Sequence, residues 1–179
     1  CGIAGIFSRG DTPVPLQRLL PMRDEQVHRG PDAVGLRTGP HIGLAFNRLA
    51  IIDLSPLANQ PMASEDDAVW IVYNGEIYNF REIRRQLEEK GRRFRTQSDT
   101  EVIIQGYLEW GIDVVLRLNG MFAFALWDAP RERLHLVRDR LGKKPLFYRD
   151  AEGEVVFASE VRALVKGLKG APPVNARAL

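Results

Sequence analysis

Met121-Phe122-Ala123-Phe124-Ala125-Leu126-Trp127, Leu134-His135-Leu136-Val137, Leu146-Phe147-Tyr148 and Val155-Val156-Phe157-Ala158 are four short apolar runs separated by brief breaks of Pro, Gly, Asp and Arg. Runs of this length, rich in aromatic and β-branched residues, read as strands. Strands joined by short connections pair as antiparallel hairpins, because a parallel crossover needs about a dozen residues or more. This segment therefore argues against a βαβ fold. Further out, Gly2–Phe7, Ile42–Ile52 and Val69–Tyr73 carry the same strand signature.

Two helical patterns lie between the strand groups. Phe80, Ile83 and Leu87 recur at helical spacing at the edge of and within the charged run Arg81–Arg95, which predicts an amphipathic helix with a solvated basic face. Asn79 with Glu82 predicts a capping box at its start, and Gly91 predicts its end. Ser98 with Glu101 predicts a second capping box, followed by Val102, Ile103 and Tyr107 and closed by Gly111. Leu16–Val27 reads as partly helical with a break at Pro21, and Glu160–Leu168 as a short helix capped by Ser159. The fold class is α+β, with helices packed on antiparallel sheet.

Composition narrows the function. The chain has 179 residues, enough for one domain. Lys and Arg number 25 against 23 Asp and Glu, a net charge of +2 that supplies no basic field for nucleic acid. One cysteine forms no internal disulfide, and no Cys/His spacing suits zinc, so no metal site is expected. No apolar run reaches the roughly 18 residues of a membrane span, and no signal peptide is visible. The expectation is a soluble cytoplasmic protein with neither nucleic acid nor membrane as partner.

The single cysteine is residue 1. A free cysteine is most often a small buried residue. At a chain start it carries its own base, because an α-amine titrates near about 7.7–8.0 and a thiol near about 8.5. Thiol-to-amine proton transfer then costs roughly 1 kcal/mol or less, so the pair acts as nucleophile and base without a histidine. Asn74-Gly75 reads on spacing alone as a type I′ turn, although Asn79 leaves only three residues for a returning strand. The alternative is a pair of adjacent N–H donors for a developing oxyanion. Arg48, in an otherwise apolar run, is either a rim or structural residue paired with Asp53 or Asp32, or a fork for a small carboxylate. Asp99 in the first turn of a helix is explained by the helix dipole, and it would equally hold an ammonium.

A series of motifs resembles one family. Cys1-Gly2-Ile3-Ala4-Gly5-Ile6-Phe7, His28-Arg29-Gly30-Pro31-Asp32, Arg48-Leu49-Ala50-Ile51-Ile52-Asp53, Asn59-Gln60-Pro61-Met62 and Asn74-Gly75-Glu76-Ile77-Tyr78-Asn79 resemble the glutaminase domain of glutamine-hydrolysing asparagine synthetases. The likeness continues through Ser98-Asp99-Thr100-Glu101, Leu118-Asn119-Gly120-Met121-Phe122-Ala123-Phe124-Ala125, Arg138-Asp139-Arg140-Leu141-Gly142, Lys144-Pro145-Leu146-Phe147-Tyr148 and Phe157-Ala158-Ser159-Glu160. Each motif alone is weak; ten in order are specific.

The resemblance implies a class II glutamine amidotransferase domain with the N-terminal-nucleophile hydrolase fold, a four-layer αββα sandwich of mostly antiparallel sheets. It implies that Cys1 attacks the glutamine side-chain amide, that Asn74 and Gly75 form the oxyanion hole, reversing the turn reading, and that Arg48 and Asp99 bind the substrate carboxylate and ammonium. Glu76 and the backbone of Leu49, Ile51 and Ile52 would complete the pocket. Glutamate and ammonia leave through a glutamyl thioester. Removal of an initiator Met would place Cys1 first.

The family's synthetases continue into an ATP-dependent domain with a Ser-Gly-Gly-x-Asp-Ser loop, and this chain contains neither that loop nor a Gly-x₄-Gly-Lys-Ser/Thr loop. The expectation is a glutaminase domain over residues 1–166 and an exit linker over 167–179 towards an absent synthetase domain. That partner would amidate aspartate and would hold any ATP and Mg²⁺, leaving this chain without a cofactor. A homodimer is compatible with the sequence. A different ammonia acceptor, or a non-catalytic glutamine-binding regulatory module, is the alternative.

Overall fold

In the computed structural model, which describes residues 1–10 and 13–170, the strands pair into two sheets. The first runs in the order β2 (Ala33–Thr38), β3 (Ile42–Arg48), β1 (Gly2–Ser8), β9 (Glu154–Ala158), β8 (Phe147–Ala151). The second runs β4 (Met62–Ala63), β5 (Val69–Ile77), β6 (Gly120–Asp128), β7 (Arg133–Arg138). Every pairing is antiparallel. The expected hairpins form between β6 and β7 and between β8 and β9. β7 and β8 do not pair, because the chain crosses from one sheet to the other between them.

Strand alternation builds the layers. Ile3, Ile42, Leu44 and Phe46 point from the first sheet against Trp70, Val72, Ala125 and Trp127 of the second, forming the inter-sheet core. The outer face of the first sheet, with Ala4, Ile6, Ala45 and Val156, is covered by Leu19 and Met22 of α1 (Leu16–Asp24) and Leu164 of α5 (Val161–Gly167). The outer face of the second, with Ile71, Phe122, Phe124 and Leu126, is covered by α2 (Phe80–Glu89), α3 (Asp99–Trp110) and α4 (Val114–Arg117). The result is the expected αββα sandwich.

Local details depart from the sequence reading for identifiable reasons. α1 runs through Pro21 without a break. The proline removes one donor, to the carbonyl of Gln17, and Gln17 is exposed to water. The Asn79–Glu82 capping box does not form: Asn79 Nδ2 donates to the Arg117 carbonyl and its Oδ1 accepts from Asn119 N–H. Ser98 does cap α3, accepting from Thr100 N–H, while Glu101 reaches past the cap to the N–H groups of Arg95 and Thr96. Ser159 does not cap α5, because its hydroxyl accepts from Ile3 N–H and holds β1 beside β9. Gly91 (φ +87°) ends α2 as expected, in the left-handed region, with Arg92 N–H bonded to the Leu87 carbonyl. β3 stops at Arg48, short of Ile52, because the ladders to β1 and β2 end at Asn47 and Arg48. α5 ends at Gly167, where the exit linker is expected to begin; residues 171–179 of that linker lie outside the described residues.

Candidate active site

One end of the inter-sheet core opens into a cavity of about 120 Å³. Cys1 at the start of β1, the segment leaving β3 after Arg48, the second half of β5 and the first turn of α3 meet there, joined by Met121 of β6 and Lys144. Cys1, Arg48, Leu49, Ile51 and Ile52 line it. Asn74, Gly75, Glu76 and Asp99 line it too, so all nine residues singled out from the sequence share one cavity.

Cys1 is partly buried, and its Sγ lies 3.4 Å from Leu49 N and 3.6 Å from the Leu49 carbonyl oxygen. Arg29 Nε donates to the Cys1 carbonyl at 3.0 Å, and a second nitrogen of its guanidinium bonds Glu160 at 3.0 Å. Burial, helped by the positive charges of Arg29 and Lys144, lowers the Cys1 α-ammonium to about 6. At neutral pH the amine is therefore a free base beside its own thiol.

The Asn74-Gly75 turn favoured by spacing is absent: β5 continues straight to Ile77, with Asn74 opposite Ala123 and Gly75 opposite Phe122. A Cβ on Gly75 would stand 2.4 Å from the Met121 carbonyl oxygen, so close strand packing explains this glycine. β4 covers β5 only at Trp70 and Ile71, leaving the next stretch of that edge without a strand. Along this edge Tyr73 N–H donates to Gln60 Oε1 at 2.6 Å and Ile77 N–H to Asp99 Oδ2 at 3.0 Å. Alternate N–H groups of a strand point to the same side. The Gly75 N–H, between those two, therefore projects from the same edge, which borders the cavity. Asn74 Nδ2 is buried and, among the described residues, has no hydrogen-bond partner. A buried amide donor without a partner costs roughly 1–3 kcal/mol, an expense that a ligand acceptor relieves.

Arg48 is buried but makes no ion pair with Asp53 or Asp32, which corrects the structural reading of its charge. Its Nη1 donates to the Ser55 carbonyl (2.9 Å) and to Asn59 Oδ1 (2.7 Å), and its Nη2 donates to the Asp53 carbonyl. Among the described residues Nε and one Nη2 hydrogen remain for a ligand carboxylate. Asp99 is buried, and burial pushes its carboxyl up, partly offset by hydrogen bonds on Oδ2 from Tyr73 Oη (2.6 Å) and Ile77 N–H. An incoming ammonium would favour the charged form and oppose that upward push.

The sequence reading missed Tyr73, which holds Asp99, and Gln60, which spans from Tyr73 N–H to Thr100 Oγ1 (3.2 Å). It also missed Lys144 in the cavity wall, although the motifs containing Gln60 and Lys144 were among those that carried the resemblance. Among the described residues no group of three or more His, Cys, Asp or Glu side chains is placed to hold a metal ion, and no helix is long and apolar enough to cross a membrane.

The profile of the family described as "Glutamine amidotransferase domain" matches residues 1–179. The chain belongs to that family. Asparagine synthetase [glutamine-hydrolyzing] 1 of Bacillus subtilis (strain 168) is 40% identical over 168 residues, covering 92% of this chain and 26% of the relative. Amidase chry2 of Gibberella zeae is 37% identical over 177 residues, with the same coverage of each chain. This glutamine amidotransferase domain thus spans about a quarter of the length of these curated relatives. A solved glutamine phosphoribosylpyrophosphate amidotransferase from B. subtilis, complexed with ADP and GMP, superposes with a TM-score of 0.76 at 21% identity, over 91% of this chain and 42% of that one. At that identity the likeness concerns the fold, which is the N-terminal-nucleophile hydrolase sandwich.

Proposed function

We propose that this domain hydrolyses the side-chain amide of glutamine, with Cys1 as nucleophile. The observation that carries the reading is the meeting of Cys1, Arg48, Asp99 and the unpartnered amide of Asn74 around one cavity. Arg48 takes the α-carboxylate and Asp99 the α-ammonium, which sets the side-chain amide over Sγ. Sγ attacks the amide carbon, and the thiol proton passes to the Cys1 amine, which is free at neutral pH. The oxygen that gains the charge is held by Asn74 Nδ2 and Gly75 N–H; one such donor is typically worth about 2.7–4 kcal/mol in the transition state. The amine returns the proton to the departing nitrogen, ammonia leaves, and water then cleaves the glutamyl thioester to glutamate, restoring the thiol.

The glutaminase unit covers residues 1–166 and works in the cytoplasm. The ammonia passes to an ATP-dependent partner domain that amidates aspartate, and ATP and Mg²⁺ belong to that domain. The relatives named asparagine synthetases support this acceptor; the relative named an amidase supports a different one. The test is ammonia release from glutamine by wild type, Cys1→Ala and a variant with one residue added before Cys1. Only wild type is expected to be active, and comparable release from Cys1→Ala overturns the mechanism.

A further inference from the structure

The segment that follows β3 carries the groups that border the thiol, yet few of its side chains are packed: Ile51, Leu54 and Leu57 are 69%, 75% and 68% exposed. Apolar burial therefore cannot fix it, and its hydrogen bonds must. Asp53 makes three of them. Its Oδ1 accepts from Ser55 N–H at 2.8 Å, its Oδ2 from Gln97 N–H at 2.8 Å, and its own carbonyl accepts from Arg48 Nη2.

Gln97 belongs to the stretch that leads directly into Asp99, and that stretch is independently rigid. Glu101 accepts from Arg95 N–H (2.9 Å), Thr96 N–H (2.7 Å) and Thr96 Oγ1 (2.7 Å), and Arg84 Nη1 donates to the Thr96 carbonyl at 2.7 Å. Asp53 thus ties the arm that grips the Arg48 guanidinium to the frame bearing Asp99. Asp32, whose Oδ2 accepts from Ala50 N–H at 2.8 Å, holds the same arm elsewhere and has no link to that frame.

We propose that Asp53 is a positioning residue that sets the separation between Arg48 and Asp99, and through it selects ligands carrying both an α-carboxylate and an α-ammonium. The proposal rests on the assignment of those two residues to the ends of the amino acid. It extends that assignment to a residue in the cavity wall whose carboxylate oxygens are taken by Ser55 and Gln97 N–H. Two acceptor oxygens are required at once, for Ser55 and for Gln97. An asparagine in this place offers one and turns an amide N–H towards the other donor.

The experiment compares two reagents for the same thiol in wild type, Asp53→Asn and Asp53→Ala. 6-Diazo-5-oxo-L-norleucine presents both charged ends, whereas iodoacetamide presents neither. Loss of the strut is expected to slow labelling of Cys1 by the amino-acid reagent about tenfold in Asp53→Ala, with Asp53→Asn between it and wild type, the scale of one lost hydrogen bond to a charged group. Alkylation by iodoacetamide should stay within about twofold, since the thiol and its amine are untouched, and it also reports whether each variant is folded around Cys1. In steady state the same variants should raise KM for L-glutamine with kcat nearly unchanged. KM for L-glutaminamide, which lacks the carboxylate, should not move. Equal slowing of both reagents, or slowing of neither, overturns the proposal. Wild type that reacts with iodoacetamide but not with the amino-acid reagent overturns the underlying reading of the site, and this proposal with it.

Discussion

Asp99 and Glu101 stand two residues apart in the first turn of α3, 4% and 2% exposed, and they do opposite things. Glu101 spreads its donors over both oxygens, taking Arg95 N–H on each and Thr96 N–H and Oγ1 on Oε2. Asp99 receives Tyr73 and Ile77 on one oxygen alone, borders the cavity, and is held in a state where burial works against its charge. A carboxylate saturated by its own chain builds structure. One left electrostatically hungry beside a cavity is ready for a cation. Helix dipole and depth of burial are alike for the two, so neither distinguishes the roles; the partners do.

Substitution should separate them most sharply at Glu101. Glu101→Ala strands three donors, two of them on the buried Thr96, and is expected to lower stability by roughly 3–4 kcal/mol, measured by urea denaturation. Asp99→Asn should act the other way. The folded-state pKa of Asp99 is raised, so its contribution to stability is present below the unfolded carboxylate pKa and lost as pH rises through the folded value. Asparagine removes a charge that burial disfavours, and the apo protein should be as stable as wild type or more so. Its kcat/KM for glutamine should fall about ten- to a hundredfold through KM, the scale of a charged hydrogen bond. A destabilised Asp99→Asn with unaltered KM would erase the contrast.

The Cys1 amine is the cationic counterpart of Asp99, since burial lowers it to about 6 with help from Arg29 and Lys144. The acid limb of kcat/KM is expected near that pH. In Arg29→Gln it should move upward while staying below the ordinary amine range, because one like charge is removed and burial, the larger cause, remains. An unmoved limb assigns the titration to another group.

Most of the layers were legible. β1, β6 and β9 are apolar enough to read in isolation, and the short breaks between strands gave the antiparallel pairing. β2 escaped because Ala33-Val34-Gly35-Leu36-Arg37-Thr38 is a partly exposed edge with no sustained alternation, and β4 because two residues become a strand only when a partner defines them. At the site, Cys1 was singled out by its place at the chain start, whereas the helix position of Asp99 explained an acid there and left its role open. Asn74 and Gly75 were not, since Asn-Gly is also the strongest hairpin signal, and the choice depended on β6 running alongside through Gly120. Asp53 and Gln60 act on backbone N–H groups distant in sequence, and no residue pattern marks such donors in advance.

The short β4 has one more consequence. A bare strand edge ordinarily invites another chain to zip onto it. Here side chains plug the N–H groups of Tyr73 and Ile77, and Gly75 is the notch between them. An intruding peptide, which must satisfy several such groups in succession, finds a single vacancy, while a lone carbonyl oxygen needs no more than that. The missing stretch of β4 thus leaves room for a lone acceptor where it would otherwise have exposed the sheet to aggregation.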